Sequence, residues 1–123
     1  MPMPKILIVE DEVDITTVLK KRLNDLGFQV VVAQDGYEGT QLAHKEVPDL
    51  VILDLMLPVG GGLSVLQNIR MSAQIRDIPV LVLTGIKDAE YKKKVLAAGA
   101  DIYMEKPYDP QELADNINKL LVK

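Results

Sequence analysis

Five short apolar runs recur along the chain: Ile6 to Val9, Phe28 to Ala33, Leu50 to Leu53, Val80 to Leu83, and Ile102 to Met104. They are rich in β-branched residues and continuous rather than alternating, the pattern of strands buried on both faces of a parallel sheet. Between them the apolar positions take a helical period. Ile15, Val18, Leu19, Leu23 and Leu26 fall on one face of a first helix, with Gly27 just past its end, where a glycine caps helices well. The last helix opens at Asp109-Pro110-Gln111-Glu112, a capping-box arrangement with proline in the first helical position. Leu113, Ile117, Leu120 and Leu121 form its apolar face. The middle helices are less sharply patterned. Gly36 to Glu46 holds Gly39 and a ragged apolar face, which propensity alone would not keep helical. Gly62 to Ser72 presents Val65, Leu66 and Ile69; Asp88 to Ala98 presents Tyr91, Val95 and Ala98, with Asp88 as N-cap and Gly99 as terminator.

Five β-α units in 123 residues predict an α/β fold, a doubly wound five-stranded parallel sheet with five helices, since five strands are too few for an eight-stranded barrel. Right-handed crossovers put helices on both faces, and the flavodoxin-like order 2-1-3-4-5 is expected at this size. Residues 1–123 are read as one domain, either free-standing or the corresponding part of a longer chain. Hydrophobic residues make 48% and charged residues 26%, enough for a core, which excludes disorder. There is no cysteine, so disulfides, thiol nucleophiles and Cys-ligated metals are out; a lone histidine, His44, cannot build a His-rich metal site. A net charge of −4 argues against direct contact with nucleic acid. No apolar run approaches the roughly eighteen residues of a membrane helix, and the first meets Glu10-Asp11-Glu12 at once. Neither membrane insertion nor an export leader is expected, and the predicted location is cytoplasmic.

In open α/β sheets ligands bind beyond the carboxyl ends of the strands, at the switch in strand order. Glu10 and Asp11 follow the first run, Asp54 the third, Thr84 the fourth, and Lys106-Pro107 the fifth. The polar residues therefore fall on one edge of the sheet, and the expected order makes neighbours of the strands that carry Glu10, Asp11 and Asp54. Three close carboxylates call for a hard cation. Mg²⁺ suits them better than Ca²⁺, because it takes one or two carboxylates, keeps waters and shares a phosphate. With a hydroxyl at Thr84 and an ammonium at Lys106 the set reads as a phosphoryl-transfer constellation. Asp54 would attack phosphorus while metal, hydroxyl and lysine spread the oxygen charge. Singly, each residue has a bland reading: Asp54 as a loop acid, Lys106 as a surface lysine, Thr84 as a turn residue. Joint placement on one edge decides against it.

Glu10-Asp11, Asp54-Leu55-Met56-Leu57-Pro58 with Gly62 following, Thr84-Gly85, and Tyr103-Met104-Glu105-Lys106-Pro107 together resemble the receiver domain of two-component response regulators, from Lys5 to Leu121. The resemblance implies that Asp54 is the phosphoacceptor, charged from a phosphohistidine on a sensor histidine kinase or phosphotransfer protein. It implies Mg²⁺ on Asp11, Asp54 and the Met56 backbone carbonyl, with Glu10 acting largely through water. Thr84 and Lys106 would contact phosphoryl oxygens, Thr84 and Tyr103 would form the switch, and the Lys106-Pro107 bond would be cis, which proline makes accessible. A downstream protein would bind through the fourth helix, fifth strand and fifth helix. The sequence departs from the common pattern at Glu10, in Val59-Gly60-Gly61-Gly62, which suggests a looser loop, and at Gly85, which should leave Thr84 more room.

Other readings fit less well. A dinucleotide frame starting at Gly60 needs glycine where Val65 stands. There is no Walker A sequence, and the residues around Ser64 miss the serine-hydrolase elbow. A flavin phosphate after the first run would be repelled by Glu10-Asp11-Glu12. His44 is expected to be exposed, Lys92-Lys93-Lys94 to be a solvated face, and Tyr103, apart from the resemblance, to be strand packing. Two functions of different class remain: a phosphorylation-activated switch, and a pseudo-receiver that binds a partner without phosphate. Every polar role is filled, which favours the switch; enzymatic action on other substrates has no support.

Overall fold

A computed structural model describes residues 3–58 and 61–122; Val59 and Gly60, half of the expected loose glycine loop, lie outside that set. The strands are β1 (Lys5–Val9), β2 (Gln29–Ala33), β3 (Leu50–Leu53), β4 (Val80–Thr84) and β5 (Ile102–Glu105). They alternate with α1 (Val13–Asp25), α2 (Gly36–Glu46), α3 (Gly62–Met71), α4 (Ala89–Ala97) and α5 (Pro110–Leu121). All strand pairs are parallel, in the order β2-β1-β3-β4-β5, as expected from the sequence. Among the described residues no helix is long and apolar enough to cross a membrane.

Side chains alternate across a strand, so each buried strand feeds two cores. Leu7, Val9, Val51, Leu53, Val80, Val82 and Tyr103 pack with α2, α3 and α4. Ile6, Ile8, Leu50, Ile52, Leu81, Leu83 and Met104 pack with Leu19 and Leu23 of α1 and Leu113 and Ile117 of α5. The central strands are buried along their length. β2 is not, because it is an edge strand; Gln29 is exposed and Val30, Val31 and Val32 only half-buried. The expectation of burial on both faces fails there.

The α1 face is corrected too. Its buried stripe runs through Thr16, Leu19 and Leu23, whereas Val18 and Leu26 are 50% and 57% exposed. Thr16 tolerates burial because its hydroxyl donates to the Val13 carbonyl at 3.0 Å; Leu26 lies past the last helical residue. Helix α2 is held by a cap that its weak apolar pattern concealed. Asp35 accepts the Glu38 N–H at 2.7 Å, and the Glu38 carboxylate accepts the Gln34 N–H at 2.8 Å. That exchange satisfies two amides at a helix start. His44 is half-buried rather than exposed, its ring bridging the Thr40 carbonyl at 3.0 Å and Ser72 Oγ at 3.1 Å.

At the amino ends of β4 and β5 a single guanidinium gathers the chain. Arg70 donates to the carbonyls of Gly99 (3.0 Å), Arg76 (2.9 Å) and Ile78 (2.6 Å) and to Asp101 Oδ2 (2.9 Å). Truncating it strands partly buried carbonyls, so Arg70→Ala should cost about 2–3 kcal/mol. Lys21→Ala breaks an exposed pair with Asp25 and should cost at most about 0.5 kcal/mol. Urea unfolding of both variants checks this; equal midpoints would mean that Arg70 holds nothing together.

Candidate functional site

Strand parity brings the site together. Even-numbered residues of β1, β3 and β5 pack toward α1 and α5. Glu10, Asp54 and Lys106 are the next even positions, each one residue past its strand. Pairing sets their level: Val9 lies opposite Leu53, and the Asp54 N–H donates to the Val9 carbonyl at 3.0 Å. The Lys106 N–H donates to the Thr84 carbonyl at 2.9 Å, and the long lysine side chain crosses the end of β4. Its Nζ donates to Glu10 Oε1 at 2.5 Å and to Asp54 Oδ2 at 3.0 Å. Two short strand-end acids are thus tied to one cation from the far strand.

The second oxygen of each carboxylate is also engaged. The Glu12 N–H donates to Glu10 Oε2 at 3.2 Å and the Met56 N–H to Asp54 Oδ1 at 3.1 Å. Glu10 and Asp54 are buried, at 3% and 4% exposure, where unpaired charge would be costly. Burial pushes the Glu10 carboxyl up to about 6; the Lys106 hydrogen bond opposes this and the Asp54 charge adds to it. For Lys106, burial pulls down, but hydrogen bonds to Glu10 and Asp54 outweigh it and leave the ammonium above the usual lysine value. Asp11 stands at the exposed rim.

Glu10, Asp11 and Asp54 each offer a carboxylate oxygen, and these oxygens lie within 4.8 Å of one another. The donor set is all oxygen, which suits a hard cation. With Lys106 the one ammonium paired to them among the described residues, two negative charges remain when the acids are ionised, matching a divalent ion such as Mg²⁺.

Thr84 is fully buried, and its Oγ1 accepts the Ile86 N–H at 3.4 Å. The Ile86 carbonyl accepts the Tyr103 hydroxyl at 2.8 Å. Both backbone groups of Ile86 therefore join Thr84 to Tyr103, a link that no side-chain pattern could announce. Lys92, expected to be only solvated, lies 5.8 Å from the centre of the Tyr103 ring, within cation–π range. Lys87 Nζ donates to the Lys106 carbonyl at 2.7 Å, another contact absent from the sequence reading. The Lys106-Pro107 bond is cis. Beyond its two chain neighbours, Gly85 has open space where a side chain would go.

Residues 6–118 match the family described as Response regulator receiver domain, and the chain belongs to that family, the receiver class of two-component signalling. A probable transcriptional regulator, ycf27, of Guillardia theta is 43% identical over 117 residues, 95% of this chain and 45% of its own length. The chain spans about half the length of the curated relatives it matches. A putative response regulator of Chloroflexus aurantiacus superposes with a TM-score of 0.93 at 31% identity, over 99% of this chain and 100% of its own. The receiver domain of sensor histidine kinase PA1611 of Pseudomonas aeruginosa, solved with a magnesium ion in its active-site cleft, gives 0.91 at 29% identity, over 99% and 100%.

The raised Glu10 carboxyl has a consequence with a definite sign. A group whose folded pKa, about 6, exceeds its ordinary value of 4.5 binds protons more readily when folded, so it favours folding increasingly as pH falls through that window. Glu10→Gln removes the titration. In EDTA the Tm difference, variant minus wild type, should shrink as pH is lowered from neutrality to about 4.5. A difference independent of pH would contradict the burial effect.

Proposed function

We propose that the chain is a phosphorylation-activated switch with Asp54 as phosphoacceptor, forming one domain over residues 1–123. The observation that carries it is the Lys106 ammonium bonded to both Glu10 and Asp54, with Asp11 alongside, at one strand-end edge. Asp11, Asp54 and the Met56 carbonyl would hold Mg²⁺, with Glu10 contributing largely through water; the magnesium in the Pseudomonas relative supports that ion here. When bound, Mg²⁺ supplies positive charge against the phosphoryl oxygens.

The chain's own groups do the rest. An Asp54 carboxylate oxygen attacks the phosphorus of a phosphohistidine on a sensor histidine kinase or phosphotransfer protein. The O–P bond forms as the P–N bond breaks, and the imidazole leaves with the electron pair and a solvent proton, returning neutral. Lys106, already touching Asp54, follows the charge outward to a phosphoryl oxygen. Thr84 Oγ1 accepts from Ile86, which leaves its hydroxyl proton free to donate to a second phosphoryl oxygen. Drawing Thr84 inward stretches its bond to Ile86 and, through the Ile86 carbonyl, disturbs the Tyr103 contact. Exchanging one such hydrogen bond is worth about 1 kcal/mol, a several-fold shift between states. The surface built by α4, β5 and α5 would pass the change to a downstream protein. Donation by a histidine kinase puts the working site in the cytoplasm, and no turnover of other substrates is proposed.

Acetyl phosphate with Mg²⁺ should add one phosphoryl mass to wild type and none to Asp54→Asn, whose amide lacks the anionic nucleophile. EDTA should abolish the gain. Wild type that stays unmodified would favour a pseudo-receiver acting by contact alone; equal modification of Asp54→Asn would move the nucleophile elsewhere.

A further inference from the structure

Gly62 opens α3, and its φ lies outside the left-handed region that Gly27, Gly61 and Gly99 occupy. Backbone conformation alone would therefore accept alanine. Space does not. A Cβ on Gly62 would stand 2.3 Å from Leu55 Cα, 2.4 Å from the Asp54 carbonyl oxygen and 3.0 Å from the Leu55 carbonyl carbon. Elsewhere the obstruction is of another kind: at Gly39 it is the Val9 side chain and at Gly99 the Arg70 side chain. At Gly62 it is main chain, which cannot rotate aside.

That main chain leads from the Asp54 carboxylate to Met56. It is pinned on its other side by the Asp54 N–H on the Val9 carbonyl, at 3.0 Å, and the Gly62 N–H draws α3 onto it through the Leu55 carbonyl, at 3.3 Å. Two backbones approach as closely as they do because one has no side chain. We infer that Gly62 is a positioning residue for the phosphoryl site. Its bare Cα sets how deep the Asp54–Met56 backbone sits, and thereby the placement of the Asp54 carboxylate relative to the Met56 carbonyl. The inference rests on the function proposed above, since it assigns Gly62 a part in that same site.

Relieving a contact of 2.3–2.4 Å to ordinary van der Waals distance needs a backbone shift of roughly 1 Å, enough to cost about 100-fold in rate when reacting groups are misplaced. The shift should be absorbed by the segment after Asp54, where Met56 is exposed, leaving the sheet intact. Gly62→Ala is therefore expected to keep its far-UV circular dichroism. Its Mg²⁺ affinity by calorimetry should fall about tenfold or more, as when a residue that orients a metal ligand is lost. Its phosphorylation rate with acetyl phosphate should fall by about 100-fold. Gly99→Ala is the control. It combines a φ of 116° with a clash on Arg70, at the sheet edge opposite the site, and should lose stability while keeping wild-type affinity and rate.

Wild-type affinity and rate in Gly62→Ala would overturn the inference while leaving the proposed function standing. So would a variant that stays unfolded at low temperature, since Gly62 would then be a packing requirement of the fold. Parallel losses in Gly99→Ala, in proportion to its stability, would overturn it as well. Wild type that neither binds Mg²⁺ nor takes a phosphoryl group would instead bring down the functional reading, and the inference with it.

Discussion

One ammonium holds this site together. Lys106 reaches from beyond β5, across the end of β4, to carboxylates that follow β1 and β3. Without it, two buried acids would face each other in a poorly solvated corner, an arrangement that costs several kcal/mol or is relieved only by protonation. With it, the corner is kept short of neutrality by the charge of a divalent ion, and Asp11 stands at the open rim. The ion pairs are therefore less a source of stability than a way of holding two buried carboxylates in place at the strand ends.

The fold serves that arrangement through parity and register. Alternate residues of the central strands fill two separate cores, so neither face of the sheet can slip without exposing apolar surface. The same alternation, carried one residue past each strand, sends Glu10, Asp54 and Lys106 to one side of the sheet edge. Thr84, on the opposite parity of the neighbouring strand, shares its face with Tyr103. Ile86 joins the two through its own N–H and carbonyl. One backbone residue thereby links the threonine at the end of β4 to the tyrosine ring on β5.

Much of this was legible in the sequence because buried parallel strands leave continuous apolar runs and because the site's polar residues sit directly after those runs. The strand order, the five helices and the gathering of Glu10, Asp11, Asp54 and Lys106 at one edge were anticipated on those grounds. What escaped was set by tertiary context. Helical spacing placed Val18 on the core face, but the face that packs on the sheet runs through Leu19 and Leu23 and includes Thr16, a polar residue whose hydroxyl is satisfied within the helix. The β2 run read as buried on both faces because it is as continuously apolar as the central strands, although the expected order put it at an edge, where one neighbour is missing. His44 looked solvated because its partner, Ser72, lies just past the end of α3, distant in sequence. The reach of Lys106 onto Glu10, the Ile86 link and the main-chain contact of Gly62 are matters of distance, which a one-dimensional pattern does not record.

The central claim is that a phosphoryl group is carried on Asp54 as an acyl phosphate. Borohydride reduces such a mixed anhydride to the alcohol, converting the aspartate that carried it into homoserine. Wild-type protein incubated with Mg²⁺ and acetyl phosphate, quenched with borohydride and sequenced by tandem mass spectrometry should show homoserine at position 54, and none when the phosphodonor is omitted. Homoserine at Asp11 instead, or an acid-stable phosphate on a hydroxyl side chain, would contradict the claim.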